Sequence, residues 1–295
     1  MRKNKTNGDP EPVFPGSSKF TLSDEEFLLF RELIHKVSGI SLSDHKRELI
    51  VSRLTKRLRA LKLGGFSEYY DFLTQDPRGS EEMGQLVNRM TTNKTDFYRE
   101  PHHFEYLSEI VLPELVAEKE ARGDRRLRAW SAASSTGEEP YTLAITLSEY
   151  FEDHPDWEIK ILASDLDTEV LNYAHQGRYP VERLAPVPKS ILHKYFHQVS
   201  GPPAPVYQVN HRLRQMLTLK RINLHQSTFP FKEPLDFIFC RNVMIYFDMD
   251  GKISLLKKFH KVLRTNGHIF VGHSESLMMV KDIFRYCQST IYRKI

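Results

Sequence analysis

Residues 130–145, WSAASSTGEEPYTLAI, decide how the chain is read. An apolar strand over Leu127–Trp130 runs into small residues. A helix then opens with Pro140 in its first turn, where the missing N–H costs nothing. A strand, a small-residue turn and a helix begin a nucleotide-binding βα unit. The glycine triplet of a dinucleotide fingerprint is absent, however. Only Gly137 remains, and Glu138 and Glu139 stand where a pyrophosphate would meet the helix N-terminus. Thr136 and Glu139 have the T-x-x-E spacing of a capping box, which predicts Glu139 folded back on the cap and Glu138 left free. Taken alone, the two acids read as dipole acids on a surface.

Outward from this turn, an α/β plan repeats. Strands over LRAW (127–130), IKILASD (159–165) and LDFIFC (235–240) are each followed by a helix, over 139–151, 167–176 and 249–263. The sheet is expected to be mostly parallel. The closing FRYCQSTIYRKI predicts an antiparallel hairpin around Gln288 and Ser289. Residues 201–222 break the alternation with a proline-rich turn and short strands over 206–209 and 216–222, too close for a crossover helix, and read as a small antiparallel β-subdomain.

Before residue 91 the pattern is helical. Asp24 is expected to cap a helix through Lys36 and Asp44 one through Leu61, with shorter helices over 67–75 and 80–91. The expected organisation is therefore a disordered tail (1–18), an all-helical domain (19–91), a polar linker (92–100) contributing to the site, and an α/β domain (101–295).

With 295 residues and 40% hydrophobic content the chain can bury a substantial core. Its net charge of +4, the balance of 42 basic and 38 acidic side chains, says little by itself. Apolar runs such as PLDFIFC fall well short of the roughly 20 residues that span a bilayer, and the N-terminus lacks an apolar signal core, so a cytoplasmic address without membrane insertion is expected. Cys240 and Cys287 lie apart and read as buried small hydrophobes, not as a disulfide or zinc framework. His193 and His197 in HKYFH could share a helix face, but with no third ligand in view they read as surface residues, and no metal site is expected.

Asp165 ends the second strand, where a carboxylate holds ribose hydroxyls in such folds, and CRN (240–242) ends the third beside the same crevice. A ligand with ribose and adenine, no phosphate and a cationic far end suits this pocket. S-adenosylmethionine has these features, and acids that repel a pyrophosphate attract its sulfonium and α-amino groups. The residues thus favour a methyltransferase over a dehydrogenase.

The segments TTNKTDFYRE (91–100), WSAASSTGEEPYTLAI (130–145), ILASDLDTEVL (161–171), FCRNVMIYFD (239–248) and GHIFVGHSES (267–276) resemble the CheR family of chemotaxis receptor methyltransferases, from about residue 20 to the end. The resemblance implies a class I methyltransferase domain with a helical N-terminal domain and an inserted β-subdomain. It also implies transfer of a methyl group from S-adenosylmethionine to glutamates on the cytoplasmic helices of chemoreceptors, giving glutamyl methyl esters. Matched by position, the cofactor residues are Asn93, Thr95, Arg99, Glu138, Asp165, Asn223, Leu224, Arg241 and Asn242. Glu138 is assigned the α-amino group, Asp165 the ribose, Asn223 and Leu224 the adenine. Arg99 and Tyr246 are placed nearest the chemistry, Arg99 orienting a substrate carboxylate. A glutamate is already ionised at pH 7, so no general base is required.

On a helical wheel of residues 44–62, Ile50, Val51, Leu54, Leu58 and Leu61 form an apolar stripe, while Lys46, Arg53 and Arg57 form a basic row with Lys56 and Arg59 nearby. In the family context this face is expected to meet acidic receptor helices; alone it reads as a solvated face or a nucleic-acid contact, the latter lacking interleaved aromatics. Two rival functions follow, a nucleic-acid methyltransferase and a non-catalytic S-adenosylmethionine-sensing adaptor. In the family the β-subdomain can also bind a receptor's C-terminal pentapeptide, and the proline-rich turn leaves that contact open.

Overall fold

Residues 20–295 are described by the structure, a computed structural model, and the segment 1–18 lies outside the described residues. The helical pattern before residue 91 becomes α1 (Asp24–Ser38), α2 (Arg47–Leu61), α3 (Phe66–Gln75) and α4 (Gly79–Met90). The cap of α1 is Ser23, not Asp24: its hydroxyl accepts from Glu26 N at 3.2 Å and the Glu26 carboxylate accepts from Ser23 N at 2.8 Å, a complete capping box. Asp44 begins a single 3-10 turn (Asp44–Lys46) and pairs with Arg31 of α1 at 3.0 Å instead of capping α2. Phe30, Ile34, Ile50, Leu54, Leu58, Phe66 and Tyr69 are buried together, each removal from water worth about 1.5–3 kcal/mol.

Beyond the linker, α5 (His102–Tyr106) runs through one π turn (Leu107–Val111) into α6 (Leu112–Glu120). The α/β alternation then follows: β1 (Arg126–Ala132), α7 (Glu138–Tyr150), β2 (Glu158–Asp165) and α8 (Thr168–Gln176). Next come β3 (Arg178–Pro180), α9 (Lys189–Tyr195), β4 (Phe196–Ser200), β5 (Val206–Val209), α10 (His211–Met216) and β6 (Leu217–Arg221). The chain closes with β7 (Leu235–Cys240), α11 (Met249–Val262), β8 (Leu263–Val271), β9 (Phe284–Gln288) and β10 (Ile291–Lys294). The main sheet has the order β6-β2-β1-β7-β8-β10-β9. Its first five strands are parallel, and the terminal hairpin adds β10 and β9 antiparallel, as the sequence predicts. The chain therefore has a class I methyltransferase architecture. Its parallel strands are covered on both faces, so β7 is buried at all six positions.

The small antiparallel sheet exists, but not over 201–222. It consists of β3, β5 and β4, in that order, whereas β6 pairs parallel with β2 in the main sheet. The spacing of 206–209 and 216–222 does exclude a crossover between those two. The crossover to β6 starts instead from β2, through α8, and the small sheet is inserted within it. His193 lies in α9 and His197 in β4, so they share no helix face. Cys240 is buried, as expected, but Cys287 is only half-buried. No helix among the described residues is long and apolar enough to cross a membrane.

The helical domain lies against the ends of β2, β6 and β7. Asn223 Nδ2 donates to Val37 O of α1 at 2.8 Å, Ser41 N donates to Tyr246 O at 2.8 Å, and Arg89 pairs with Glu169 of α8 at 2.9 Å. These bonds roof the crevice at the carboxyl ends of the strands, beside the switch between β1 and β7 where open α/β sheets bind ligands.

Candidate active site

A cleft opens there. Asn93, Thr95, Arg99, Asp165, Asn223, Leu224, Arg241, Asn242 and Tyr246 all line it; Glu138 does not, and Glu139 does. Ser38, Ile40, Met90 and Thr91 of the helical domain and Thr92 to Lys94 of the linker complete one wall.

The loop after β1 is shaped for close approach. Ala133, Ser135 and Gly137 have φ of 61°, 49° and 99°, conformations L-residues rarely hold without surrounding constraint. A Cβ on Gly137 would lie 2.7 Å from Tyr179 Oη, so glycine is needed for both conformation and space. This glycine is also the N-cap of α7, and no side chain caps the helix. The capping box expected from Thr136 and Glu139 is therefore not formed. Glu139 turns toward the cleft, where its carboxylate accepts from Ser131 Oγ at 2.7 Å and from Arg241 Nε at 2.8 Å. Glu138, expected to be free, is buried on the other side of the turn, accepting from Thr136 Oγ1 at 2.7 Å and paired with Arg183 at 2.7 Å. Burial pushes its carboxyl above the ordinary value despite those partners.

Asp165, at the end of β2, accepts from Ser135 N at 2.8 Å and from Asp167 N at 3.0 Å, and burial raises its carboxyl pKa. Asp167 caps α8, and its second oxygen accepts from Asn93 Nδ2 at 2.8 Å, tying the linker to the α8 N-terminus. Asn223, assigned to the adenine, has its side-chain amide engaged: Nδ2 donates to Val37 O, and Oδ1 accepts from His225 N at 2.9 Å. Arg241 is almost wholly buried. Besides Glu139 it donates Nη1 to Arg99 O at 2.7 Å and to His103 Nδ1 at 3.0 Å, and its guanidinium carbon lies over the rings of Phe104 and Phe239, 5.5 and 5.8 Å from their centroids. The Arg99 side chain donates to Lys94 O at 3.0 Å and stays half-exposed at the rim.

Sequence reading did not single out His103 or Glu275. His103 Nδ1 accepts from Arg241, so its Nε2–H donates to Ser289 O at 3.1 Å, a neutral tautomer fixed from both sides. Burial foremost, then Arg241, lowers its pKa to about 4, and burial beside Arg293 and Arg264 lowers that of His268 to about 4. An unfolded histidine titrates near 6.5, so the unfolded chain binds more protons below that pH. Stability should therefore hold above about pH 6.5 and fall on acidification toward 4, by on the order of 2–3 kcal/mol per histidine. Thermal melts between pH 7.5 and 4.5 check this, and a flat profile over pH 6.5–5 would exclude buried neutral imidazoles.

The basic row on α2 is not a free face. Arg53 Nη1 donates to Met90 O and Thr91 O at 2.7 Å each and to Arg89 O at 3.2 Å, and Nη2 donates to Thr92 Oγ1 at 2.8 Å. Arg57 grips Glu82 through Nε at 2.8 Å and Nη2 at 2.5 Å, with Tyr69 Oη donating to the same carboxylate at 2.8 Å. Both guanidinium groups serve the packing of α2 on α4 and the linker, leaving Lys46, Lys56 and Arg59 exposed. A helical wheel cannot reveal this, because the partners lie on other elements.

Two carboxylates in a partly apolar cleft suit a cationic nucleoside: Asp165 for vicinal hydroxyls, Glu139 for an ammonium, and Ile222 and Leu224 as an apolar wall. Residues 25–91 match the family described as CheR methyltransferase, all-alpha domain, and residues 93–293 the family described as CheR methyltransferase, SAM binding domain. The chain is 42% identical to chemotaxis protein methyltransferase 2 of Pseudomonas aeruginosa, covering 96% of this chain and 97% of that one. It is 37% identical to the chemotaxis protein methyltransferase of Salmonella typhimurium over 99% and 98% of the two chains. Against that of Escherichia coli it is 38% identical over 94% and 93%.

Proposed function

The chain belongs to the CheR methyltransferase family, whose members here are S-adenosylmethionine-dependent enzymes of chemotaxis, and on that premise we propose that it esterifies glutamate side chains on the cytoplasmic helices of chemoreceptors. The observation that carries the choice of acceptor is the state of the cleft's two carboxylates. Glu139 is paired with Arg241, and Asp165 accepts two backbone N–H groups, so neither is poised to take a proton from an acceptor. Such a site suits a nucleophile that is already anionic at pH 7, as a glutamate is.

S-adenosylmethionine supplies an electrophilic methyl group on a cationic sulfur. Asp165 holds the ribose hydroxyls, and Asn223 and Leu224 flank the adenine, Asn223 by its backbone. Glu139 takes the α-amino group in place of Glu138, and Asn93, Thr95, Arg241 and Asn242 complete the cofactor wall. Arg99, at the rim, orients the acceptor carboxylate, and Tyr246 confines the approach to the methyl group. Alignment and exclusion of water by the linker and the helical roof then supply the rate. Asp165→Ala should weaken S-adenosylmethionine binding by about 1–3 kcal/mol, because hydroxyl donors lose a charged acceptor in a desolvated site. Calorimetry that finds wild-type affinity removes Asp165 from that role.

The direct test is incubation with receptor cytoplasmic fragments and labelled cofactor. Base-labile protein label supports the proposal, label in nucleic acid supports the rival methyltransferase, and binding without transfer supports an adaptor. Including fragments with and without their C-terminal tails tests whether the β3-β5-β4 sheet tethers a receptor peptide. Lys46, Lys56 and Arg59 remain the exposed cations available to acidic receptor helices. Their joint reversal to Glu should leave the melting temperature and cofactor affinity near wild type, yet slow receptor methylation at least fivefold at low salt, with the deficit shrinking as salt screens over about 8–10 Å. An unchanged low-salt rate places receptor recognition elsewhere.

A further inference from the structure

The segment that leaves β7 carries Arg241, Asn242 and Tyr246 into the cleft, yet it has little regular structure to hold it. Asn242 sits at φ 59°, and a single 3-10 turn (Met244–Tyr246) follows. Three consecutive N–H groups, those of Asn242, Val243 and Met244, point to one place below the cleft. The carboxylate of Glu275 occupies it. Oε2 accepts from Asn242 N at 2.8 Å, and Oε1 accepts from Val243 N at 3.0 Å and Met244 N at 2.7 Å. A fourth donor, Gly272 N at 2.6 Å, comes from the end of β8. Converging backbone N–H groups make an anion nest, and here the chain fills it with its own buried carboxylate.

The two strand ends are also in direct contact. A Cβ on Gly272 would lie 2.3 Å from Asn242 Nδ2 and 2.7 Å from Asn242 N, so no side chain fits between them. Glu100, itself in the linker, accepts from His273 N at 3.1 Å, bringing the β8 end and the linker to the same wall. Glu275 thus joins the β7 loop, which lines the cleft, to the β8 loop behind it. It does not line the cleft itself.

We propose that Glu275 is a positioning residue for the cofactor cleft: by accepting from Gly272, Asn242, Val243 and Met244 it fixes the loop from which Arg241, Asn242 and Tyr246 reach the ligand. This rests on the reading above that the cleft binds S-adenosylmethionine. Replacing one oxygen with an amide N–H₂ sets donor against donor at two of the four bonds, and the loop must shift.

The test compares Glu275→Gln with Asp236→Asn, a buried carboxylate at the opposite end of β7 that pairs with Lys119 at 2.8 Å and accepts from Arg128 N at 2.8 Å. Melting temperature, cofactor affinity by calorimetry and amide hydrogen exchange are measured for both. Both substitutions should lower the melting temperature. Only Glu275→Gln should weaken S-adenosylmethionine binding at least tenfold and speed exchange at Asn242, Val243, Met244 and Gly272. As a second variant, Gly272→Ala keeps the carboxylate but pushes Asn242 away, and it should weaken the cofactor in the same direction. The proposal is overturned if Glu275→Gln binds cofactor as Asp236→Asn does, if its four amides stay protected, or if Gly272→Ala binds like wild type. Should the wild-type chain not bind the cofactor at all, the methyltransferase reading fails, while the exchange pattern still decides whether Glu275 holds the loop.

Discussion

Reversing Arg53 and Arg57 to glutamate together should unfold the helical domain at ambient temperature. The carbonyls at the C-terminus of α4 have no partners within their own helix, and one Arg53 guanidinium donates to three carbonyls there, those of Arg89, Met90 and Thr91, and to the Thr92 hydroxyl. A cation there also faces the negative end of the α4 dipole. Glutamate would set a carboxylate against the same oxygens. Arg57 is worse placed for reversal, since Glu82, only 6% exposed, would lose its counter-ion and gain a like charge. Removing one partner of a buried pair costs about 3–5 kcal/mol. That loss, with the Arg53 hydrogen bonds to the α4 end lost beside it, is a large share of the roughly 5–15 kcal/mol that holds a typical domain. Circular dichroism and thermal melts of the double variant measure the effect. Cofactor affinity should fall with it, because Thr91 to Thr95 line the cleft and Arg53 holds Thr91 and Thr92. A double variant that melts like wild type would return both arginines to the solvated face that a helical wheel assigns them.

That contrast marks where the sequence stops being legible. Periodicity located α2 and its buried stripe, since Ile50, Leu54 and Leu58 are fully buried, because burial of one helix face is a local pattern. It could not tell a basic face in water from one engaged by neighbouring backbone, because Arg89 to Thr92 reach Arg53 only through tertiary packing. The strands ending at Ala132, Asp165 and Cys240 were legible for a similar reason: apolar runs bounded by turn residues need no partner to be recognised. The β6 strand is legible as a strand but its place beside β2 in the main sheet is not, because five residues of alternating character carry no record of their neighbour. Glu275 lies within GHIFVGHSES, where no spacing or residue type points to a role for it. A nest built from N–H groups of four residues in two loops leaves no side-chain signature.

The pair of acids in TGEEP gives the last large expectation, and it inverts the one drawn from spacing alone. Glu139→Gln should weaken S-adenosylmethionine binding more than Glu138→Gln, while Glu138→Gln lowers the melting temperature without a matching loss of affinity. Of the two, only Glu139 lines the cleft, and its carboxylate supplies the negative charge beside Arg241 that an α-amino group would share. Neutralising it removes an attraction of about 1–3 kcal/mol and leaves the buried Arg241 with only the longer pair to Glu100 at 3.9 Å, so that more of its positive charge faces a cationic ligand. Glu138, by contrast, has its charge matched by Arg183 on the far side of the turn, next to the Tyr179 hydroxyl that donates to Thr136 O at 2.7 Å. Its neutralisation loosens the packing between the β1–α7 turn and the segment after β3, which is a matter of stability. Calorimetry and thermal melts on the two single variants give the ranking directly. If Glu138→Gln proves the weaker binder of the cofactor, the α-amino group is held from the buried side of the turn, and Glu139 serves only to keep Arg241 in place.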